Sequence, residues 1–459
     1  MDKKSVVPLT EAEIKKRFRI GLEVCGRSGR MNIKELLKEI LECRETSEIP
    51  KKLLNALLDS DSRERILRLI NEKKDDKVID VFRDMFQEEQ SNRKELKQDY
   101  TPDGLSSLVA KLSGNTKNLA DVCSGTGSLT VAFLKEHPEV EFVRCEEFSA
   151  QPIPFLLLNL ALMNVDGEVI HGDSLTQEVF RVYKLKRSKN FSEIQIADNP
   201  DIEIRFDTVI SNPPYSLKWQ PTNDGRFEKY GLAPASKADF AFILHALSLL
   251  KPNGNLFEIL PHGVLFRGAK EGKIREHLLE DGVINSVIGL PEKLFLNTSI
   301  PTVILNLKKE RNASDVLFID ASNEFKKSKK QNILEQSHIE RIVDTYNLRE
   351  SVSRFAYLCS LSEIKENDFN LNIPRYVDTY VPEEPVDLEH IFSEWLQIEK
   401  EISEAEEKLL DMFSELVPTD KSNVEKMNRA KEMLTTIVHT TKPKERNADK
   451  IQLTLFDGI

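Results

Sequence analysis

The sequence predicts an α/β protein: a mostly parallel sheet with flanking helices, an all-helical segment before it and coiled-coil-type helices after it. Three observations carry this. From about 104 to 325, short apolar runs alternate with amphipathic segments, the pattern of strands joined by crossover helices. From 10 to about 95, apolar pairs recur at helical spacing with few Gly or Pro. At 388–416, apolar residues step alternately by three and four, an a/d seam.

Taken in order, the helical segment (1–97) groups Leu36, Leu37, Ile40 and Leu41; Leu53, Leu54, Leu57 and Leu58; Ile66, Leu67, Leu69 and Ile70; and Val78, Phe82, Met85 and Phe86. Asn32 with Glu35 resembles a capping box. Next, 98–330 holds expected strands at 118–123, 140–146, 167–171, 206–211, 254–260, 284–289, 301–308 and 316–320. Expected helices lie at 127–136, 150–163, 237–250 and 271–280. The runs 303–307 and 316–319 are close enough to form an antiparallel edge hairpin. Residues 331–384 read as an irregular connecting segment. In 385–440, Leu388, Ile391, Trp395, Ile398, Ile402, Ala405, Leu409, Met412 and Leu416 form the seam, between Pro385 and Pro418. A second helix spans about 421–438, and 441–459 reads as a flexible tail.

Composition narrows the class. The chain has 459 residues, enough for two or three domains, and 40% of them are hydrophobic, as in globular proteins. No run approaches the ~18 uncharged apolar residues of a membrane span, and Met-Asp-Lys-Lys-Ser lacks the apolar core of a signal peptide. The five cysteines make no CxxC pair, which fits a reducing cytoplasm and indicates no zinc site. A net charge of −11 argues against binding nucleic acid by bulk charge alone. Any such affinity needs a local basic cleft or a basic partner.

Chemistry concentrates at strand ends, where open α/β sheets bind ligands. The first strand runs into Cys-Ser-Gly-Thr-Gly (123–127), then a helix. Gly125 and Gly127 let backbone approach a ligand, and the helix aims its first amides there. With no following Lys and no third glycine, a small carboxylate- and ribose-bearing ligand fits better than a pyrophosphate. The second strand ends at Glu146-Glu147, placed to grip ribose hydroxyls, with Glu147 favoured. The third ends at Asp173. The fourth delivers Asn212-Pro213-Pro214-Tyr215. Two prolines fix two φ angles and push their predecessors toward extended backbone. The Asn212 side-chain oxygen, the Pro213 carbonyl and the Tyr215 ring then suit a planar group with a conjugated NH2: adenine, cytosine or a glutamine amide. Lys218, Trp219, Arg226 and Lys229 follow in a Gly/Pro-containing loop placed to touch such a substrate's surroundings.

Further strings surround these. Gln98-Asp99-Tyr100-Thr101-Pro102-Asp103 precedes the glycine turn. Gly-Leu-Ala-Pro-Ala-Ser-Lys-Ala-Asp-Phe-Ala-Phe (231–242), Pro-His-Gly-Val-Leu-Phe-Arg-Gly (261–268), Gly-Lys-Ile-Arg-Glu (272–276), Gly-Leu-Pro-Glu-Lys-Leu-Phe (289–295) and Asn-Ile-Pro-Arg-Tyr-Val (372–377) follow it. With these residues the chain resembles S-adenosylmethionine-dependent adenine methyltransferases of the amino type. It resembles more closely the modification subunit of type I restriction–modification systems. The likeness covers about 95–380. Val122 stands where the family commonly has proline.

The resemblance implies a Rossmann-like methyltransferase sheet at 98–330 and S-adenosylmethionine as cofactor. It implies cofactor contacts from Gln98, Asp99, Tyr100, Thr101, Pro102, Asp103, Asp121, Ser124, Gly125, Thr126, Gly127, Ser128, Glu147, Asp173 and Asn212. It implies catalysis at Asn212, Pro213, Pro214 and Tyr215 on an adenine flipped from duplex DNA. Asp173 is then expected beside an adenine edge. No base-reading module is evident, so a separate specificity subunit is expected on the 385–440 helices. A second copy of the chain and a restriction subunit are further implied partners. Gln452-Leu453-Thr454-Leu455-Phe456 resembles the short peptide by which bacterial proteins dock on the sliding clamp. Two rival readings remain: a protein glutamine-amide methyltransferase, and a non-catalytic DNA-associated scaffold.

Overall fold

The computed structural model describes residues 33–72, 101–379 and 387–441, apart from 297, 298, 312 and 330. Gln98, Asp99, Tyr100, the 78–86 helix, the Asn32 cap and the 441–459 tail beyond Thr441 lie outside the described residues. The chain divides into two units at 380/381.

The first unit opens with helices α1 (Ile33–Ile40), α2 (Ile49–Leu58), α3 (Ser60–Glu72) and α4 (Asp103–Leu112). Then come β1 (Asn118–Val122), α5 (Ser128–Glu136), β2 (Phe142–Glu147), α6 (Ile153–Leu162) and β3 (Asp166–Asp173). A hairpin follows, β4 (Glu178–Lys186) and β5 (Glu193–Ala197), then β6 (Phe206–Ser211), α7 (Asp239–Leu249) and β7 (Leu250–Pro261). Next are α8 (Ala269–Glu280), β8 (Ile284–Gly289), β9 (Thr302–Lys308) and β10 (Asp315–Asp320). The unit closes with α9 (Gln336–Leu348), β11 (Ala356–Ser360) and α10 (Leu361–Glu366).

The eleven strands of the described residues form one sheet in the order β11-β10-β8-β9-β7-β6-β1-β2-β3-β4-β5. β1 pairs in parallel with both β2 and β6. The order therefore reverses at β1, and the crevice at such a switch point is where open α/β sheets bind ligands. Val122 sits level with both Glu146 and Ser211, so three strand ends open at one height. Two apolar layers cover the sheet. One gathers Leu105 and Leu108 of α4, Phe133 of α5 and Phe155 of α6. The other gathers Phe240 and Ile243 of α7 and Leu278 of α8. The N-terminal helices share the first layer: Ile49, Leu53, Leu57 and Leu67 are fully buried in it. Pro50 lies in the first turn of α2, where a missing N–H costs nothing. Arg63 of α3 donates to the Leu57 carbonyl at 3.0 Å and reaches Ile194 of β5 at 3.5 Å.

Two expectations need correction. β9 and β10 are not a hairpin: β8 lies between them, antiparallel to β9 and parallel to β10. Their closeness in sequence hid the earlier strand that enters the gap. Nor are the described residues of the 331–384 segment, 331–379, irregular. They hold α9, β11 and α10, with Ile339 and Ile342 buried and Cys359 level with Val316 of β10. Polar residues on the outer faces masked the apolar periodicity. The β4–β5 hairpin falls outside the expected strands, because the first residues of β4 are exposed and lack an apolar run.

The second unit pairs α11 (Leu388–Glu415) with α12 (Val424–Thr441). Asp387 caps α11 by accepting the His390 N–H at 3.1 Å. Lys431 donates to the Ser414 carbonyl at 2.9 Å and ties the helices together. Trp395, Ile398 and Ile402 of the seam stay about half exposed.

One buried group sets a pH dependence. Glu258 of β7 is fully buried, and neither carboxylate oxygen has a hydrogen-bond partner among the described residues. Burial, with Asp239 adding to it, pushes its carboxyl well above the ordinary 4.5. The folded protein therefore binds this proton more tightly than the unfolded chain does. Stability falls as pH rises above 4.5 through the native value. Each tenfold difference in proton affinity between the folded and unfolded chains corresponds to about 1.4 kcal/mol. Glu258→Gln should melt higher than the parent at about pH 8 and approach it near about pH 5. A parallel pair of melting curves across that range would contradict this.

Candidate active site

At the end of β1 the backbone enters the left-handed region three times, at Cys123 (φ 62°), Gly125 (57°) and Gly127 (88°). Gly127 is required twice over, since a Cβ there would also lie 2.8 Å from Leu156 Cδ1. The Ser124 N–H donates to the Glu146 carbonyl at 3.0 Å, and the Gly127 N–H to the Ser124 carbonyl at 2.8 Å. Asn159 donates to the Thr126 carbonyl at 2.8 Å from α6. Beneath this turn Asp121 accepts the Thr130 hydroxyl at 2.5 Å, while its other oxygen has no hydrogen-bond partner among the described residues. Burial pushes its carboxyl up to about 7.

The paired acids at the end of β2 point to different places. Glu147 Oε2 accepts the Gly125 N–H at 2.8 Å and Oε1 the Ser149 N–H at 2.7 Å. Burial outweighs these bonds and raises its carboxyl to about 7. Glu146 turns to the other side. It accepts from His245 Nε2 at 2.8 Å and from Ser174 Oγ at 2.7 Å. Burial alone would raise Glu146, but His245, Ser174 and Arg144 hold it at about 2. At the end of β3, Asp173 Oδ1 accepts the Leu175 N–H at 2.9 Å and closes a tight turn.

The Asn-Pro-Pro-Tyr turn leaves β6 with its amide already oriented. Asn212 Nδ2 donates to Thr101 Oγ1 at 3.0 Å. The Tyr215 hydroxyl donates to Asn212 Oδ1 at 2.9 Å. A carbonyl oxygen has two lone pairs, so Oδ1 can accept from two donors at once. The Tyr215 ring meets Phe295 edge-on at 6.2 Å.

These pieces surround one cavity of about 560 Å³. Of the residues expected from sequence, Thr101, Ser124, Gly125, Ser128, Glu147, Asp173, Asn212, Pro213, Pro214 and Tyr215 line it. Pro102, Asp103, Asp121, Thr126 and Gly127 do not; Asp103 instead opens α4 and Asp121 braces the glycine turn from below. Sequence reasoning missed Phe148, 49% exposed in the cavity wall directly after Glu147, with Phe180 edge-on at 6.0 Å. An aromatic residue following a strand-end acid was the available signal. The loop after the turn also needs correction. Of Lys218, Trp219, Arg226 and Lys229, Lys218 alone is exposed at the cavity. Trp219 is buried and donates to the Pro234 carbonyl at 3.0 Å. Arg226 donates to the Ser174 and Leu175 carbonyls at 2.7 Å and to His245, and Lys229 pairs with Asp281 at 2.6 Å.

Comparison with known proteins places the chain. Residues 73–384 match the sequence profile of N-6 DNA Methylase. The chain belongs to the N-6 DNA methylase family. Among relatives of this family, the type I restriction enzyme MpnII methylase subunit of Mycoplasma pneumoniae is 33% identical over 325 residues, 66% of this chain and 58% of that protein. The type I restriction enzyme MjaIX methylase subunit of Methanocaldococcus jannaschii is 26% identical over 420 residues, 83% of this chain and 71% of that protein. A crystal structure of a type I restriction–modification system methyltransferase subunit from Streptococcus thermophilus is similar at 41% identity and a TM-score of 0.54, covering 61% of this chain and 59% of that one. The chain thus spans less than two thirds of the Mycoplasma relative and of the Streptococcus chain.

Proposed function

We propose that this chain is the modification subunit of a type I restriction–modification system, transferring a methyl group from S-adenosylmethionine to the exocyclic N6 of a flipped adenine in DNA. One observation carries the reading. A glycine turn with a strand-end acid and an Asn-Pro-Pro-Tyr turn share a single cavity at the switch point of the sheet. The wall suits the cofactor: Glu147 offers carboxylate lone pairs to ribose hydroxyls, Gly125 a close backbone and Phe148 a ring face. S-adenosylmethionine, when bound, supplies a methyl group activated by a sulfonium sulfur.

The chain's own residues then act by position. Asn212 Oδ1 and the Pro213 carbonyl accept the two amine hydrogens and turn the nitrogen lone pair away from the ring. Tyr215 stacks on the flipped base, and unstacking that base from duplex DNA takes a few kcal/mol. Thr101 and the Tyr215 hydroxyl keep the amide from rotating. Positioning of this kind supplies most of the rate. The same acceptors suit a glutamine amide, so methyl transfer to DNA rather than to a peptide is the discriminating assay. A specificity subunit docked on the α11 seam would choose the target sequence, and a second copy of the chain and a restriction subunit would complete the assembly. The half-exposed Trp395, Ile398 and Ile402 support that docking.

Asn212→Ala should lower methylation of a cognate duplex roughly 10²-fold or more, as for loss of one preorganised transition-state contact. Tyr215→Phe, which keeps the ring, should lose less than Tyr215→Ala. Near-normal turnover in Asn212→Ala would sink the mechanism.

Ribose hydroxyls bind an ionised Glu147 better than a protonated one. Cofactor affinity measured by calorimetry should therefore strengthen as pH rises through about 7, then level off. Glu147→Gln should bind weakly at every pH; a titration with the parent's profile would move the ribose contact elsewhere.

Asp at both Ile398 and Ile402 buries charge in any helix interface formed there. The double variant should fail to co-purify with the specificity subunit while still binding cofactor. Retained co-purification would place the interface elsewhere.

A further inference from the structure

Two prolines set the start of the catalytic turn, but its exit is strained. Ser216, directly after Tyr215, has φ 51°. A side chain resists that left-handed region, so the surroundings must hold it. Its N–H donates to Asp239 Oδ1 at 2.7 Å, and its hydroxyl lies 3.4 Å from Oδ2. Asp239 is fully buried at the first position of α7. The neighbouring Ala238 N–H donates to the Leu217 carbonyl at 2.9 Å, so the helix start is bonded to the turn at two successive residues.

Asp239 is itself held. Arg267 Nη1 donates to its Oδ2 at 2.6 Å and to Glu271 Oε1 at 3.0 Å, and Arg267 Nη2 reaches Ser216 Oγ at 3.4 Å. Room for the guanidinium comes from Gly263, where a Cβ would lie 2.6 Å from Arg267 Nε. The Arg267 backbone is fixed too, its carbonyl accepting Arg275 Nη1 at 2.8 Å. Glu258 lies level with Ser211, the residue before the turn, and its carboxylate has no hydrogen-bond partner among the described residues. Arg267 thus brings positive charge to a region of buried carboxylates. Neither Asp239 nor Arg267 nor Glu271 lines the cavity, so these groups do not meet a substrate in it.

We propose that Asp239 and Arg267 are positioning residues for methyl transfer: they hold Ser216 in its left-handed conformation and so aim the Asn212 amide and the Tyr215 ring. The inference rests on the methyl-transfer reading above. A buried carboxylate with one oxygen on a backbone N–H and the other on a guanidinium cannot swing. An apolar contact would let the exit of the turn relax, and the two acceptors would drift from the amine they serve.

The test uses the full chain co-purified with its specificity subunit, comparing Arg267→Ala, Arg267→Lys, Gly263→Ala and, as a control, the exposed Lys270→Ala. Arg267→Ala should lower kcat by ~10- to 100-fold, the effect of an ångström-scale misplacement. Arg267→Lys, which keeps the charge but not the fork, should recover part of that loss. The dissociation constant of Arg267→Ala for S-adenosylmethionine should stay within about twofold of the parent's, because the ribose and glycine-turn contacts are untouched. Fluorescence of 2-aminopurine at the target position should report a flipped but poorly stacked base. Millimolar guanidinium ion should restore part of the rate in Arg267→Ala and none in the parent. Gly263→Ala, which crowds the guanidinium without removing it, should show a milder loss of kcat of the same kind. Lys270→Ala should behave as the parent. An unchanged kcat in Arg267→Ala would overturn the proposal. So would a rate loss that guanidinium does not rescue and that tracks an equal loss of cofactor affinity and melting temperature. A parent complex that methylates no DNA would overturn the underlying reading, and is distinguished by being measured first.

Discussion

The pairing of β1 with β6 is the constraint on which the rest of the structure depends. At its carboxyl end the buried Ser211 hydroxyl donates to the Val122 carbonyl at 2.8 Å. At its other end, the Thr116 and Thr208 hydroxyls share a bond of 2.7 Å, and Asp207 accepts the Asn118 N–H at 2.8 Å. These bonds pin the register along the whole seam between the two halves of the sheet. A slip of one residue would turn every side chain of β6 to the opposite face. It would also move Asn212 about 3.3 Å along the strand, away from the glycine turn. The cavity exists because two turns, built from segments some ninety residues apart, are forced to leave the sheet at the same level.

Charge at that level is partitioned rather than merely abundant. Glu146 and Glu147 are adjacent, yet alternation along β2 sends them to opposite faces. Glu146 joins His245 and, through it, Arg226, in a buried hydrogen-bonded network. Arg226 donates to His245 Nδ1, and the ring's other nitrogen, Nε2, is directed at Glu146. Glu147 is met by backbone N–H groups and Asp121 by Thr130, with no cation paired to either among the described residues. The first acid is thereby locked as a carboxylate, while the other two are held near neutrality. Of these two, Glu147 alone lines the cavity, and with no cation paired to it its charge is not already neutralised by a neighbour.

Much of this was legible in the sequence, and the reasons are specific. The strands around the cavity are short, mostly buried segments marked by β-branched residues such as Val122, Val143, Val169, Val209 and Ile210, as strands covered on both faces require. Their ends are marked by residues with narrow backbone roles: Gly125, Gly127, Pro213 and Pro214. What escaped notice depends on contacts between distant positions. Thr101 meets Asn212 across 111 residues and Glu146 meets His245 across 99, and neither spacing leaves a local pattern. Arg226 read as a loop cation facing outward, but its guanidinium is consumed by the Ser174 and Leu175 carbonyls. The β4–β5 hairpin and residues 331–379 are half-exposed additions at the two edges of the sheet, where charged residues interrupt the apolar signal.

The Asn-Pro-Pro-Tyr turn shows why two prolines do not by themselves make a rigid acceptor. A proline ring fixes its own φ but not the ψ that follows, nor the torsions of Asn212 and Tyr215. Those are set from outside, and from both faces of the sheet. On one face, Thr101 at the entry to α4 takes the Asn212 amide hydrogen, and α4 is anchored by Leu105 and Leu108 in the first apolar layer. On the other, Asp239 at the start of α7 takes the Ser216 N–H, and α7 is anchored by Phe240 and Ile243 in the second. The turn is therefore held between two independently packed layers. Displacing it requires one of the layers to shift, and close-packed interiors resist such movement. The precision of the site thus derives from the whole sheet and not from the four residues that carry its name.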